Sequence, residues 1–184
     1  MGVGERRSNE AEGRKGEGSS LRILGLDPGT ATTGYGIVDV FDGEMRLVTY
    51  GVIETPAGDP PERRLQSIYS QINVLIAAHR PERAAVEQLF FGRNITTAIA
   101  VGQARGVLLL ALAEADIAMS EYSPPKIKEA ITGYGKADKA QMQLMVRHLL
   151  ALNETPRPDD AADALAVAIT HARYVAFEAA VDAS

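Results

Sequence analysis

The chain has 184 residues, of which 46% are hydrophobic and 23% are charged, a composition typical of a globular protein with one domain. It contains no cysteine, which excludes disulfides and thiolate metal sites and is typical of a reducing compartment. We find neither an uninterrupted apolar run of about 20 residues nor a signal-peptide pattern, so a cytoplasmic protein without a membrane segment is expected.

The formal net charge of −5 does not by itself favour a polyanionic partner. Charge is unevenly distributed, however, and residues 122–150 hold five basic and two acidic side chains, a local net charge of +3. A solvated helical face would have the same composition. The charge pattern therefore permits nucleic-acid binding without requiring it.

The predicted elements begin after a polar segment, residues 1–20, which has almost nothing to bury and is expected to be a disordered tail. A single domain is predicted over 21–179, followed by a short C-terminal tail over 180–184. Hydrophobic periodicity and turn residues predict strands over 21–26, 34–40, 46–53, 83–89 and 117–122, and helices over 61–79, 95–115, 124–131, 139–152 and 159–179.

This order predicts an α/β fold with a mixed five-stranded sheet. Three consecutive strands pair antiparallel, and the two βαβ crossovers that follow add parallel strands. Helices then flank the sheet. The helix over 95–115 is apolar on nearly all sides, which indicates either a subunit contact or a wholly internal helix.

Four acidic residues occupy positions where functional groups gather in such a sheet. Asp27 ends the first strand and Glu87 the fourth, while Asp160 and Asp163 project from one face of the last helix. Taken singly, most have a structural explanation, because Asp27 precedes a Pro-Gly turn and acids suit a helix N-terminus. Glu87 does not, since an unpaired carboxylate in an apolar strand is costly and usually has a cationic partner.

Together, these carboxylates from three separated elements match the hard oxygen ligands that Mg²⁺ prefers. Two such ions about 4 Å apart can activate a water and stabilise the leaving oxygen of a phosphoryl displacement. The spacing alone does not single out this chemistry.

Four collinear motifs carry a family resemblance. They resemble the corresponding segments of the bacterial RuvC family of Holliday-junction resolvases, and the likeness extends over about 21–174. The motifs are ILGLDPGTATTGYG (23–36), VEQLFFGRN (86–94), GQARG (102–106) and DAADALAVAITH (160–171).

The resemblance implies a ribonuclease H-like fold, a homodimer, and two Mg²⁺ ions per active site, for which Mn²⁺ can substitute. It implies a structure-selective endonuclease that resolves four-way DNA junctions by paired symmetric nicks, leaving 5′-phosphate and 3′-hydroxyl ends. It also implies a role in recombination and DNA repair alongside the RuvA–RuvB branch-migration complex.

The same resemblance assigns roles to individual residues. Catalysis and metal binding fall to the four acids, Asp27, Glu87, Asp160 and Asp163; some relatives carry His at the position of Asp160. A stacking aromatic at the junction centre matches Phe90, although the sequence does not decide whether Phe90 or Phe91 faces the DNA. Basic DNA contacts are expected at Lys128, Lys139, Arg93 and Lys136.

Two other classes of protein remain as alternatives. A non-catalytic junction-binding protein would share the basic segment, but the presence of all four acids argues against it. A nucleotide-binding protein of the actin and sugar-kinase type would share the loop from Asp27 to Gly34. That class needs a second such loop, and no repeat follows residue 40.

Overall fold

The computed structural model describes residues 20–89 and 95–182. In this part of the chain, strands and helices alternate as the periodicity predicts. The strands are β1 (Leu21–Asp27), β2 (Thr32–Phe41), β3 (Glu44–Glu54), β4 (Arg83–Glu87) and β5 (Ala118–Tyr122). The helices are α1 (Pro61–His79), α2 (Ile95–Glu114), α3 (Pro124–Thr132), α4 (Lys139–Leu149) and α5 (Asp159–Asp182).

The strands form one sheet in the order β3-β2-β1-β4-β5. The first three strands are antiparallel, because tight connections join them, and β4 and β5 extend the sheet in parallel after helical crossovers. This arrangement confirms the predicted mixed sheet and the ribonuclease H-like fold. It also makes β1 and β4 direct neighbours at the centre of the sheet.

Alternate residues of the strands point to opposite faces, and each face has its own core. Leu24, Leu26 and Val86 pack with α1 and α2 on one face. On the other face, Ile23 and Ala85 pack with α3, α4 and α5. By the same alternation Asp27 and Glu87 lie on the α5 face of the sheet, each at the end of its strand.

Helix α5 lies unusually close to the sheet because small residues line both surfaces. A Cβ built on Gly25 would lie 2.2 Å from the carbonyl oxygen of Ala164 and 2.5 Å from the backbone nitrogen of Ala168. A Cβ on Gly34 would lie 1.9 Å from the carbonyl oxygen of Asp160. Only glycine permits these approaches. They bring the start of α5 over the C-terminal end of β1 and the adjacent N-terminal end of β2.

Helix α2 is not wholly internal. Its inner face, including Ala104, Leu108 and Leu112, is buried, but Ile99 and Leu110 are 59% and 52% exposed. By length and composition alone both α2 and α5 could cross a bilayer, a property that buried helices of soluble proteins share. Helix α5 has its apolar residues from Ala161 to Ala172 in the core.

Element ends differ from the predictions where the backbone finds local partners. Helix α4 ends at Leu149 instead of 152, because Ala151 adopts a left-handed conformation (φ 50°) and its N–H bonds to the carbonyl of His148. Helix α5 continues to Asp182, past the predicted end at 179, through an alanine-rich turn that favours helix.

Candidate active site

The register of the central strands brings two of the predicted acids together. Leu26 of β1 is paired with Val86 of β4, so the next residues, Asp27 and Glu87, are neighbours across two parallel strands. Adjacent strands lie about 4.8 Å apart. The two carboxyl groups are close enough to share a hydrogen bond, which Asp27 donates when it is protonated.

Helix α5 supplies the other two acids. The contact of its first turn with Gly34 places Asp160 beside the end of β1, because Gly34 is paired with Asp27 in the sheet. Asp163 follows on the same helical face, immediately before Ala164, which packs on Gly25 of β1. All four predicted acids therefore converge, as Asp27 interacts electrostatically with Glu87, Asp163 and Asp160.

The convergence of acids changes the acidity of Asp27. Burial in the protein, followed by the negative charges of Glu87, Asp163 and Asp160, raises the pKa of Asp27 to about 8. Without a counter-ion, neighbouring carboxyl groups repel one another when they are ionised, so they cannot all ionise freely. The Asp27 carboxyl group is thus predominantly protonated near neutral pH in the metal-free protein.

The pKa values of Glu87 and Asp163 are also raised, and both residues have basic neighbours. Burial, and then the charge of Asp163, raises the pKa of Glu87, while Lys128 acts in the opposite direction. Burial likewise raises the pKa of Asp163, against the effect of Lys139. Lys128, contributed from α3, is thus a nearby positive charge that partly offsets the charge of Glu87.

Lys139, at the start of α4, forms an ion-pair network with the first turn of α5. Its Nζ lies 3.1 Å from Oδ2 of Asp159 and 3.6 Å from Oδ2 of Asp163. Asp159 also accepts a 2.8 Å hydrogen bond from Gln143 and pairs with Arg157 at 3.2 Å. The pairing of Asp159 with Lys139 was not predicted from the sequence, although Asp159 directly precedes the candidate ligand Asp160.

Two of the acids and two lysines line a cleft of about 220 Å³ between the sheet and helices α3, α4 and α5. Glu87 and Asp163 contribute its acidic side, and Lys128 and Lys139 its basic side. Ile127 and Met142 form part of its apolar floor. The cleft can thus bind cations next to a region that attracts anions.

The acids of this cleft fit a divalent metal by their chemistry. Carboxylate oxygens are the ligands that Mg²⁺ and Mn²⁺ prefer, and the mutual repulsion that raises the pKa of Asp27 is relieved by a bound cation. Over the described residues, however, no three acidic or histidine side chains are already gathered as ligands around one point. Asp27 and Glu87 interact with each other, and Oδ2 of Asp163 lies 3.6 Å from Nζ of Lys139.

The predicted DNA contacts divide into two groups. Lys128 and Lys139 line the cleft, and Lys136 is exposed on the connection between α3 and α4. Phe90 and Arg93, together with the alternative Phe91, lie outside the described residues. Their placement remains a prediction.

Comparison with known proteins gives a consistent result. Residues 23–171 match the family model of crossover junction endodeoxyribonuclease RuvC. The chain is 57% identical over 152 residues to the crossover junction endodeoxyribonuclease RuvC of Chloroflexus aurantiacus, covering 83% of this chain and 93% of that protein. It is 55% identical over 154 residues to the same enzyme of Moorella thermoacetica, covering 84% and 92%.

A solved structure of Thermus thermophilus RuvC in complex with a Holliday junction substrate is similar in fold. It superimposes with a TM-score of 0.81 at 38% sequence identity, covering 86% of this chain and 96% of the other.

Proposed function

This chain belongs to the RuvC family of crossover junction endodeoxyribonucleases, and we propose that it resolves four-way DNA junctions by paired, symmetric, metal-dependent nicks in recombination and DNA repair. The observation that carries this proposal is the convergence of Asp27, Glu87, Asp160 and Asp163 from three separate elements onto one end of the sheet. A junction-binding protein without nuclease activity has no need for four acids brought together at one end of the sheet, where their charges repel one another.

The four acids would hold two divalent ions, Mg²⁺ or Mn²⁺. Such ions activate a water for attack on the scissile phosphorus and stabilise the leaving 3′-oxygen. Asp27 and Glu87 stand on neighbouring strands, and Asp163 on the helix packed against them, so the backbone that carries the ligands is held in place before DNA binds. Asp27 must lose its proton to act as a ligand, and a bound cation favours that loss.

Lys128 and Lys139 are proposed to bind the backbone of the strand to be cut. They line the same cleft as Glu87 and Asp163, beside the acids, where they can neutralise phosphates next to the scissile bond. The pairing of Lys139 with Asp159 and Asp163 keeps its ammonium group beside the site. Phe90 is proposed as a further DNA contact on the basis of family resemblance, Arg93 because it stands in the same motif, and Lys136 because it lies in the basic segment 122–150.

The chain is further proposed to act as a cytoplasmic homodimer alongside the RuvA–RuvB branch-migration complex. Two nicks placed symmetrically require two active sites related by a two-fold axis, which a homodimer provides. The exposed apolar face of α2, with Ile99 and Leu110, is a surface suited to that contact.

The function is tested by incubating the purified chain with a labelled mobile four-way junction, or with a matched linear duplex, in Mg²⁺, Mn²⁺ or EDTA. We expect paired nicks in the junction, only with metal, that DNA ligase reseals. Asp163→Asn should lower the nicking rate by about 100-fold or more while junction binding is retained or strengthened, because a negative charge near phosphate is removed.

A matched control is Asp116→Asn, which makes the same change at an exposed position at the opposite end of the sheet. This variant should cleave like the parent protein. Junction binding without metal-dependent nicking by the parent would overturn the nuclease assignment, and an Asp163→Asn variant of full activity would remove that residue from the site.

A further inference from the structure

An exposed aromatic side chain stands between the two helices that carry the cleft lysines. Residues 133–138, which we name the α3–α4 loop, contain Tyr134, whose exposed fraction is 60%, whereas Ala137 of the same loop is 2% exposed. A single exposed apolar side chain is ordinary on a protein surface. The support that this loop receives and the charges around it distinguish Tyr134.

Local hydrogen bonds hold the backbone of Tyr134. Thr132 Oγ1 donates to the carbonyl of Lys128 at 2.9 Å and accepts from the N–H of Tyr134 at 3.2 Å. The N–H of Ala137 donates to the carbonyl of Tyr134 at 3.1 Å. Gly133, at φ 76°, ends α3 and turns the chain. The ring is therefore presented to solvent on an ordered support, so little backbone entropy is lost when a ligand covers it.

Lysines precede and follow the ring in the chain, within the segment 122–150 whose net charge is +3. Lys128 lies on the last turns of α3 and Lys139 on the first turn of α4, both in the wall of the cleft, and Lys136 is exposed in the loop itself. The loop also carries one acid, Asp138, whose carboxylate is directed to the cap of α4, where it accepts the N–H of Gln141 at 2.8 Å. An aromatic ring among lysines is the arrangement by which proteins bind single nucleic-acid strands.

Building on the proposed function, we propose that Tyr134 is a DNA contact whose ring stacks on an unpaired base of the strand held by Lys128, Lys136 and Lys139. Lysines bind phosphates irrespective of sequence, while a stacked ring requires a base that is free of its own stack. Tyr134 therefore favours DNA with unpaired bases, such as an opened junction, over continuous duplex. The ring face performs this role, and the phenolic hydroxyl is not needed.

The chain contains no tryptophan, so Tyr134→Trp introduces a single tryptophan, whose emission can be excited apart from that of the tyrosines. We expect its emission to be quenched when a four-way junction is added in EDTA, where no cleavage occurs, and to be unchanged by a matched linear duplex. The matched control is Phe41→Trp, another exposed aromatic position, located at the far end of β2 from the cleft. Its emission should not respond to the junction.

Junction binding is measured in parallel by anisotropy of labelled DNA. If Tyr134→Trp binds the junction and its emission does not change, or if duplex quenches it equally, the stacking contact is wrong while the proposed function stands. If the parent chain binds no junction, both the proposed function and this inference fail.

Two further variants separate the ring from its hydroxyl group. Tyr134→Ala should weaken junction binding by about fivefold to 150-fold, the range for loss of one stacked base, whereas Tyr134→Phe should bind within about twofold of the parent. Equal losses in both variants would indicate a hydroxyl contact and overturn the stacking role. Because the side chain is exposed, unfolding midpoints of both variants should match that of the parent.

Discussion

The proton on the Asp27 carboxyl group is retained by burial and by three neighbouring acids. A group whose pKa is raised by folding binds its proton more tightly in the folded than in the unfolded chain. Its contribution to stability is therefore complete below its ordinary pKa of 3.8 and is lost as the pH rises toward the folded value of about 8.

We accordingly expect the free energy of unfolding in EDTA to fall between pH 5 and pH 8, with Asp27 contributing at most about 1.4 kcal/mol per pH unit. Urea denaturation at several pH values measures this slope. Mg²⁺ should restore stability at pH 8, because a cation replaces the proton as the partner of the acids.

The matched variant is Asp27→Asn, which removes the titrating group at nearly constant size and should lose the largest part of the slope. Burial lowers the pKa of His171, so this residue makes stability rise with pH, opposite to Asp27. Because both proteins contain His171, its contribution cancels when their slopes are compared. Identical slopes in the parent and in Asp27→Asn would contradict the assignment of the proton to Asp27.

Among the elements, α5 determines the geometry of the site. Its first turn rests on Gly34 and its third on the centre of β1, so Asp160 and Asp163 have little freedom to move relative to Asp27. The same helix buries an unbroken apolar surface from Ala164 to Ala168 against the sheet. The packing of α5 on the sheet thus both forms part of the core and fixes where the backbone of Asp160 and Asp163 lies.

We predict that Gly34→Ala shifts the start of α5, because the new Cβ would lie 1.9 Å from the carbonyl oxygen of Asp160. Overpacking of this kind lowers the free energy of unfolding by about 1–3 kcal/mol, and displacement of ligands by about 1 Å lowers nicking by roughly 100-fold. Denaturation and junction cleavage measure the two effects.

Gly58→Ala is the corresponding control, since a Cβ there meets nothing within 4 Å. Its stability should change by less than about 1 kcal/mol and its activity should be unaffected. A fully active Gly34→Ala variant would contradict the dependence of the site on this close approach.

For the molecule as a whole, the outer face of α2 is one of the apolar surfaces that a single chain leaves exposed. Ile99 and Leu110 are more than half exposed on a helix whose other face is buried in the core. A self-complementary contact between two copies would account both for the proposed symmetric double cleavage and for this apolar outer face.

Ile99→Glu and Leu110→Glu are expected to convert a dimer into a monomer, since each would bury a charge in the proposed contact. Sedimentation measures the mass in solution. Leu144→Glu, at a 58% exposed position of α4 on the opposite side of the sheet, should leave the mass unchanged. A parent chain that sediments as a monomer at micromolar concentration would overturn the proposed dimer.

Local sequence patterns predicted much of this protein. The alternation of strands and helices, the mixed sheet and the end of α1 at His79 follow from periodicity and turn residues within short windows. The sequence also predicts the four acids as candidate metal ligands, from their places at strand ends and a helix start and from the motifs around them. These properties depend on neighbours within a few residues of each other.

Only the tertiary structure decided which elements contact each other and at what distance. These properties depend on pairs of residues that are distant in the sequence. Strand register made Asp27 and Glu87 neighbours, and close packing on Gly34 placed Asp160 beside them. Folding also exposed one face of α2, a helix whose sequence is apolar all round, and joined Lys139 to Asp159. Periodicity identifies which residues share an element, but the distances between elements depend on how their surfaces pack.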